Sequence, residues 1–202
     1  MKSKEFMTEG MAPSKRMTEK WAGLIKRDCQ PFLDAIKHKP LIKFPLYRGI
    51  NKAMGEYFIK SNVRLDNRKP MDISPEMHNK INEYFIKEYG DPFRNAIFCT
   101  GNQHNAQQYG DPYYIFPIGD FKFIWSFKIH DLYPQLKREI NNQEVFSDKE
   151  LINFLDFANY QPDRLTAAAD SGHEIMIRCK EYYAINVNSI KGIESYLETL
   201  LQ

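Results

Sequence analysis

The spacing of apolar residues divides the chain into short elements of both kinds. Ser14 is placed to cap a helix that brings Trp21, Leu24 and Ile25 onto one face. Pro31 kinks or restarts that helix before Phe32, Leu33 and Ile36, and Pro40 closes this N-terminal helical part, residues 14–40. The run 41–50 reads as a strand, which Pro45 confines to an edge or a bulge. Ser74-Pro75 opens the clearest helix, with Met77, Ile81, Tyr84 and Phe85 at helical spacing and Gly90 as its stop. A short apolar strand at 95–101 follows, then a short helix at 102–110 capped by Asn102. Alternating aromatic and polar residues at 113–117 and 121–129 flank Ile118-Gly119-Asp120, which predicts a hairpin. Ser147 to Glu150 forms a capping box ahead of Leu151, Phe154, Leu155 and Phe157. Strands at 174–179 and 182–187 surround an Arg-Cys-Lys-Glu turn, and a last helix starts at Asn188 or Ser189. The order predicts an α+β domain built on antiparallel sheet over residues 14–202, behind a detachable leader of residues 1–13.

At 202 residues and 43% hydrophobic content, the chain has the length of one domain and enough apolar residues for a real core. No run approaches the ~20 apolar residues of a membrane span, so no membrane partner is expected. The N-terminus lacks the apolar stretch of a secretory signal. Cys29, Cys99 and Cys179 are far apart and odd in number, which points to a reducing compartment and a cytoplasmic protein. The five histidines show no ligand spacing, and no metal site, Ser/His/Asp triad or phosphate-binding glycine loop is present in the sequence.

The net charge of +2 hides an asymmetry: residues 1–52 hold twelve Lys/Arg against five Asp/Glu, and residues 141–202 hold five against ten. A basic first third suits the phosphates of a nucleic acid or a dinucleotide, and equally suits a solvated basic helix.

Three stretches carry candidate chemistry. Tyr47-Arg48-Gly49 ends the first strand, and its glycine allows close approach to the backbone. Phe98-Cys99-Thr100-Gly101 ends an apolar strand in small residues, and a helix with Ala106 and Tyr109 begins at once. Glu174 stands beside His173 at the start of an apolar strand. Taken singly, these are an ordinary salt-bridge arginine, a strand-to-helix turn and a solvated strand end.

In this order and spacing they resemble the ADP-ribosyltransferase superfamily, in the branch with aromatic-Arg on one strand, Ser-Thr-Ser on a second and Glu on a third. Cys99-Thr100-Gly101 takes the Ser-Thr-Ser place, Ala106-x-x-Tyr109 matches the usual Ala-x-x-aromatic, and Glu174-Ile-Met-Ile matches the catalytic Glu with its strand. The resemblance covers residues 41–187. It implies split antiparallel sheets around an NAD cleft, flanked by helices, and mono-ADP-ribosyl transfer from NAD, as co-substrate, to a host protein or nucleic-acid acceptor. Glu174 would be the catalytic residue, stabilising an oxocarbenium-like ribose and holding its 2′-hydroxyl. Arg48 would pair with the NAD phosphates or brace the site. Thr100 or Cys99 would orient Glu174, and the Gly49 backbone would meet the nicotinamide amide. Tyr47 belongs to the same motif, and Phe98, Tyr109 or one of Tyr113 and Tyr114 would stack on the ring.

Two departures bear on this. The triplet reads Cys-Thr-Gly, and the position two before Glu174, where arginine-modifying members carry Glu, is Gly172. Neighbours on a strand face opposite ways, so His173 is a poor substitute. Arg68, His78 and Arg94 are candidates for lining the cleft and are read as structural.

The leader, "MKSKEFMTEG", resembles the capsid-targeting segment of internal proteins of T-even-type bacteriophages, with Glu5-Phe6-Met7-Thr8-Glu9 before Gly10. That resemblance implies packaging in the virion and delivery to the host cytoplasm, as for the ADP-ribosyltransferases such phages carry. The competing expectations are a non-catalytic virion or nucleic-acid-binding protein, and an NAD glycohydrolase with water as acceptor.

Overall fold

A computed structural model describes residues 13–36, 46–51, 56–66, 68, 73–141 and 147–189. The leader through residue 12, residues 41–45 of the strand expected at 41–50, and the last helix beyond residue 189 lie outside them. The described elements run α1 (Lys15–Asp28), α2 (Gln30–Ile36), β1 (Tyr47–Ile50), β2 (Phe58–Asn62), α3 (Pro75–Tyr89), β3 (Ile97–Thr100), α4 (Gln103–Gln107) and β4 (Asp111–Ile118). They continue as β5 (Lys122–Trp125), α5 (Leu132–Asn141), α6 (Asp148–Ala158), α7 (Leu165–Ser171), β6 (Glu174–Arg178) and β7 (Glu181–Asn186), with 3-10 turns at Phe93–Asn95 and Val187–Ser189. The α+β class is as expected, and every strand pairing described is antiparallel.

The helix ends follow the side chains that cap them. The Ser14 hydroxyl accepts from the Met17 N–H and Ser74 from Met77, while Gly90 closes α3 at φ 79° in the left-handed region. Ser147 and Glu150 bond reciprocally at the start of α6. Strand β2 and helix α7 are too short for a pattern to predict them, while α5, with Leu132, Leu136 and Ile140 at helical spacing, is an element the sequence expectations lacked.

The strands form one sheet in the order β2-β7-β4-β1-β3-β6-β5, but β1 and β3 share a single register pair, Tyr47 with Thr100. This weak join is also a fold. Strands β6 and β7 stand four places apart, which in a flat sheet is about 19 Å. Yet Arg178 and Glu181 are three residues apart in the chain, a reach of at most about 11 Å. The same conflict holds for β4 and β5, so the sheet doubles back at β1/β3 and its halves face each other. The expected hairpin between 113–117 and 121–129 is therefore corrected. Both edges of β4 are taken, by β1 and β7, and the turn at Gly119 (φ 66°) hands the chain across to β5, which pairs with β6.

Two cores result. Between the halves lie Ile97, Cys99, Ile115, Trp125, Ile175, Ile177 and Ile185, with α1 and α2 closing one side. Trp21 stacks on Phe58 at 5.1 Å and Phe32 meets Phe116 edge-on at 6.0 Å. The outer face of the β3-β6-β5 half packs Met176 and Ile124 against Phe85, Phe93, Leu132 and Leu155 from the helices. Strand alternation sends Cys99 and Ile175 into the first core and Phe98, Met176 and Glu174 to the second face.

Candidate functional site

Glu174 begins β6 directly after α7, which ends at Gly172 in the left-handed conformation (φ 70°). It lies opposite Thr100, and Thr100 lies opposite Tyr47, so the ends of β1, β3 and β6 are in register across the join. Arg48 follows Tyr47. Regular pairing would carry β1 on past Cys99 and Phe98, but the strands splay. The Arg48 Nη1 instead donates to the Phe98 carbonyl at 3.0 Å, spanning the gap with a side chain where a ladder bond would have been.

The Glu174 carboxylate points under the sheet. Its side chain is 10% exposed, and it pairs with Arg94, itself 8% exposed, at 3.3 Å between Oε1 and Nη1. Burial pushes the carboxyl up to about 7; Arg94 opposes that rise, Asp131 adds to it, and both the donating Leu132 N–H and Arg68 oppose it. The Tyr160 phenol is buried nearby, and burial followed by the Glu174 charge pushes its titration upward. Three arginines gather here. The guanidiniums of Arg68 and Arg94 lie 4.0 and 4.4 Å from the Phe98 ring centre, and burial followed by the charges of Arg48 and Arg94 lowers Arg68 to about 10. Against them stand the carboxylates of Glu174 and Asp131, and Arg68 also donates to the Ala96 carbonyl. Among the described residues no group of three or more His, Cys, Asp or Glu could hold a metal ion, and no helix is long and apolar enough to cross a membrane.

The other residues singled out from the sequence fall into three groups. Tyr47, Tyr113 and Tyr114 are core residues rather than stacking groups. Tyr47 and Tyr114 pack at 4.9 Å, and Tyr113 donates to the Glu56 carbonyl at 2.8 Å. Cys99 is buried on the opposite side of β3 from Glu174, its thiol pushed up to about 12 by burial, so it does not orient the carboxylate. Nor does Thr100, whose hydroxyl donates to the Gly172 carbonyl at 2.6 Å and accepts from the Asn102 N–H at 3.1 Å.

Gly49 does permit a close approach, but by the chain itself. A Cβ there would lie 2.2 Å from the Ala106 carbonyl oxygen of α4. Tyr109 stands 58% exposed at the rim, its hydroxyl donating to Asp131 at 2.8 Å. Beside it Asn105 reaches His130 and the Gly172 carbonyl, each at 3.2 Å, and the His130 and His173 rings lie 5.2 Å apart.

Comparison with family models, curated proteins and solved structures returned no match. The geometry itself therefore carries the functional reading. It brings together Arg48, Phe98, Thr100 and Glu174, leaves Cys99 and the buried tyrosines outside, and adds Arg94, Arg68, Asp131 and Tyr160. A lone arginine before a strand gives no sequence signal of its partner, so Arg94 reads as structural until the fold places it on Glu174. His78 is structural as read. It bonds Asn95 at 2.9 Å and Asn82 at 3.1 Å in a buried network, and burial holds its titration below the ordinary histidine value.

Proposed function

We propose that the chain is an NAD-dependent mono-ADP-ribosyltransferase acting on a host macromolecule. The observation that supports this reading is the register of Tyr47, Thr100 and Glu174 across three adjacent strands, with Arg48 next to Tyr47. Arg48, with Arg68 beside it, would supply charge for the pyrophosphate, and Phe98 lies between Arg68 and Arg94.

In the reaction the bond between ribose C1′ and the nicotinamide nitrogen breaks, and its electron pair leaves with neutral nicotinamide. Ionised Glu174 accepts a hydrogen bond from the 2′-hydroxyl and stabilises the developing oxocarbenium charge. The acceptor attacks C1′ and releases its proton to solvent. Because Glu174 must be ionised and burial holds it near 7, the rate rises with pH through that region. Gly172, at φ 70°, places no side chain beside the acceptor, so the acceptor supplies its own complementarity or is water.

The test is incubation of the protein with labelled NAD and host lysate beside Glu174→Gln. Label on macromolecules with wild type alone supports transfer, and protease or nuclease digestion identifies the acceptor class. Nicotinamide release without labelled macromolecules means glycohydrolysis. No release and no NAD binding by wild type overturns the reading and leaves the non-catalytic virion or nucleic-acid-binding alternative.

A further inference from the structure

We infer that Arg94 is the positioning residue for Glu174, taking the part that the resemblance gives to a hydroxyl of the Ser-Thr-Ser triplet. The inference rests on the proposed function for its catalytic meaning, but its structural content stands on the contacts alone. The two triplet residues with side chains that could serve are otherwise engaged. Cys99 faces the inter-sheet core, and Thr100 is bonded to Gly172 and Asn102. The third, Gly101, cannot carry a side chain, because a Cβ would lie 1.7 Å from the Ala169 carbonyl oxygen of α7. Ser-Thr-Ser is thus sterically closed to this fold at its last position.

Arg94 is placed for the role by a rigid support. Its backbone N–H donates to Asn82 Oδ1 at 2.9 Å, and the neighbouring Asn95 is bonded to His78 and Asn82, so α3 fixes the turn that presents the arginine. The guanidinium lies against Phe98 and Met176 and meets Glu174 Oε1 from below the sheet. Its Nε and the Tyr160 hydroxyl are both buried and have no hydrogen-bond partner among the described residues. Burying such donors beside a carboxylate is costly for stability, which argues against packing alone as the reason for the arrangement. The charged or titratable groups facing Glu174 are Arg94 on the turn before β3, Arg68, Asp131 ahead of α5 and Tyr160 after α6.

The experiment compares wild type, Arg94→Gln and Arg94→Lys by carboxyl-carbon NMR titration of Glu174, assigned through Glu174→Gln, alongside nicotinamide release against pH. Loss of the arginine charge is expected to move the Glu174 titration upward by about one pH unit or more, with the acid limb of nicotinamide release moving with it. In the same variant the rate at about pH 7 falls about fivefold for a one-unit shift, and alkali restores only part of it, because the ionised carboxylate is no longer held in place. Lysine keeps the charge, and with it the titration near its wild-type position, but lowers the rate at every pH, because its flexible ammonium does not hold Oε1 where the Arg94 Nη1 does. An unmoved titration in Arg94→Gln overturns the inference, as does a uniform loss of activity that follows the folded fraction. If wild type releases no nicotinamide, the transferase reading fails, while the carboxyl titration still decides whether Arg94 holds Glu174.

Discussion

Replacing Glu174 by glutamine is expected to stabilise the protein above neutral pH while removing the proposed chemistry. In the unfolded chain the carboxyl titrates near 4.5, whereas burial lifts it to about 7 in the fold. The folded state therefore holds this proton more tightly. Stability from protonated Glu174 is complete below 4.5, declines as pH rises, and is gone once pH has passed about 7. Two and a half pH units, at about 1.4 kcal/mol each, amount to about 3 kcal/mol. Glutamine imitates the neutral acid and carries no such slope. The difference in unfolding free energy between variant and wild type, from urea denaturation at a series of pH values, should be near zero at about pH 4 and reach about 3 kcal/mol at about pH 8. A flat difference refutes the argument that a charge is buried at cost. A variant less stable than wild type in alkali means that the Arg94 ion pair outweighs desolvation. The predicted outcome is a trade in which the charge the reaction needs weakens the fold that carries it.

Other expectations follow from single contacts. Gly101→Ser, which moves the triplet towards Ser-Thr-Ser, should lose about 1–3 kcal/mol by forcing α7 away from β3, read as a lower urea midpoint; a variant as stable as wild type would falsify the steric argument. Thr100→Val removes the bonds to Gly172 and Asn102 and should cost about 1 kcal/mol, seen as a lower Tm. Asp28 is held down to about 2, chiefly by Arg27 and further by the Tyr183 hydroxyl that donates to it at 2.6 Å. Its share of stability is present above 3.8 and is lost as pH falls towards about 2, so thermal melts of Asp28→Asn should fall less steeply with acid than those of wild type.

Local signals were legible wherever one residue type has one physical use. Ser14, Ser74, Asn102 and Ser147 each cap the helix they precede, and Gly90 ends α3. Pairing was less legible. Ile118-Gly119-Asp120 has the composition of a hairpin turn, yet composition cannot say whether the next strand lies alongside or crosses to a facing half. Here β7 fills the edge of β4 that the hairpin would have used. At the site, Arg48, Thr100 and Glu174 were readable as an ordered set because each ends or begins an apolar strand. Roles assigned by analogy fared differently. Cys99 faces away because it alternates with Phe98, and Tyr47 is turned into the core against Tyr114. Arg94 and Tyr160 belong to the site through tertiary packing alone, and no local pattern marks them.

The single pair at Tyr47 and Thr100 explains why Arg48, Phe98 and Glu174 come together there. A fully paired sheet would engage the Phe98 carbonyl in its ladder and leave no reason for an arginine at the start of β1. Folding the sheet breaks that ladder after one pair, and the exposed carbonyl needs a donor with reach. Arg48 supplies it at 3.0 Å. A guanidinium carries five N–H donors, so one bond to the backbone fixes its position without exhausting it. The two roles considered for Arg48, brace and phosphate ligand, are therefore compatible, and the first pre-organises the second. Glu174 is subject to the same geometry. It opens β6 opposite Thr100, at the end of the strand pair nearest the fold line, where the Arg94 turn reaches it from below, against the Phe98 ring on the same face.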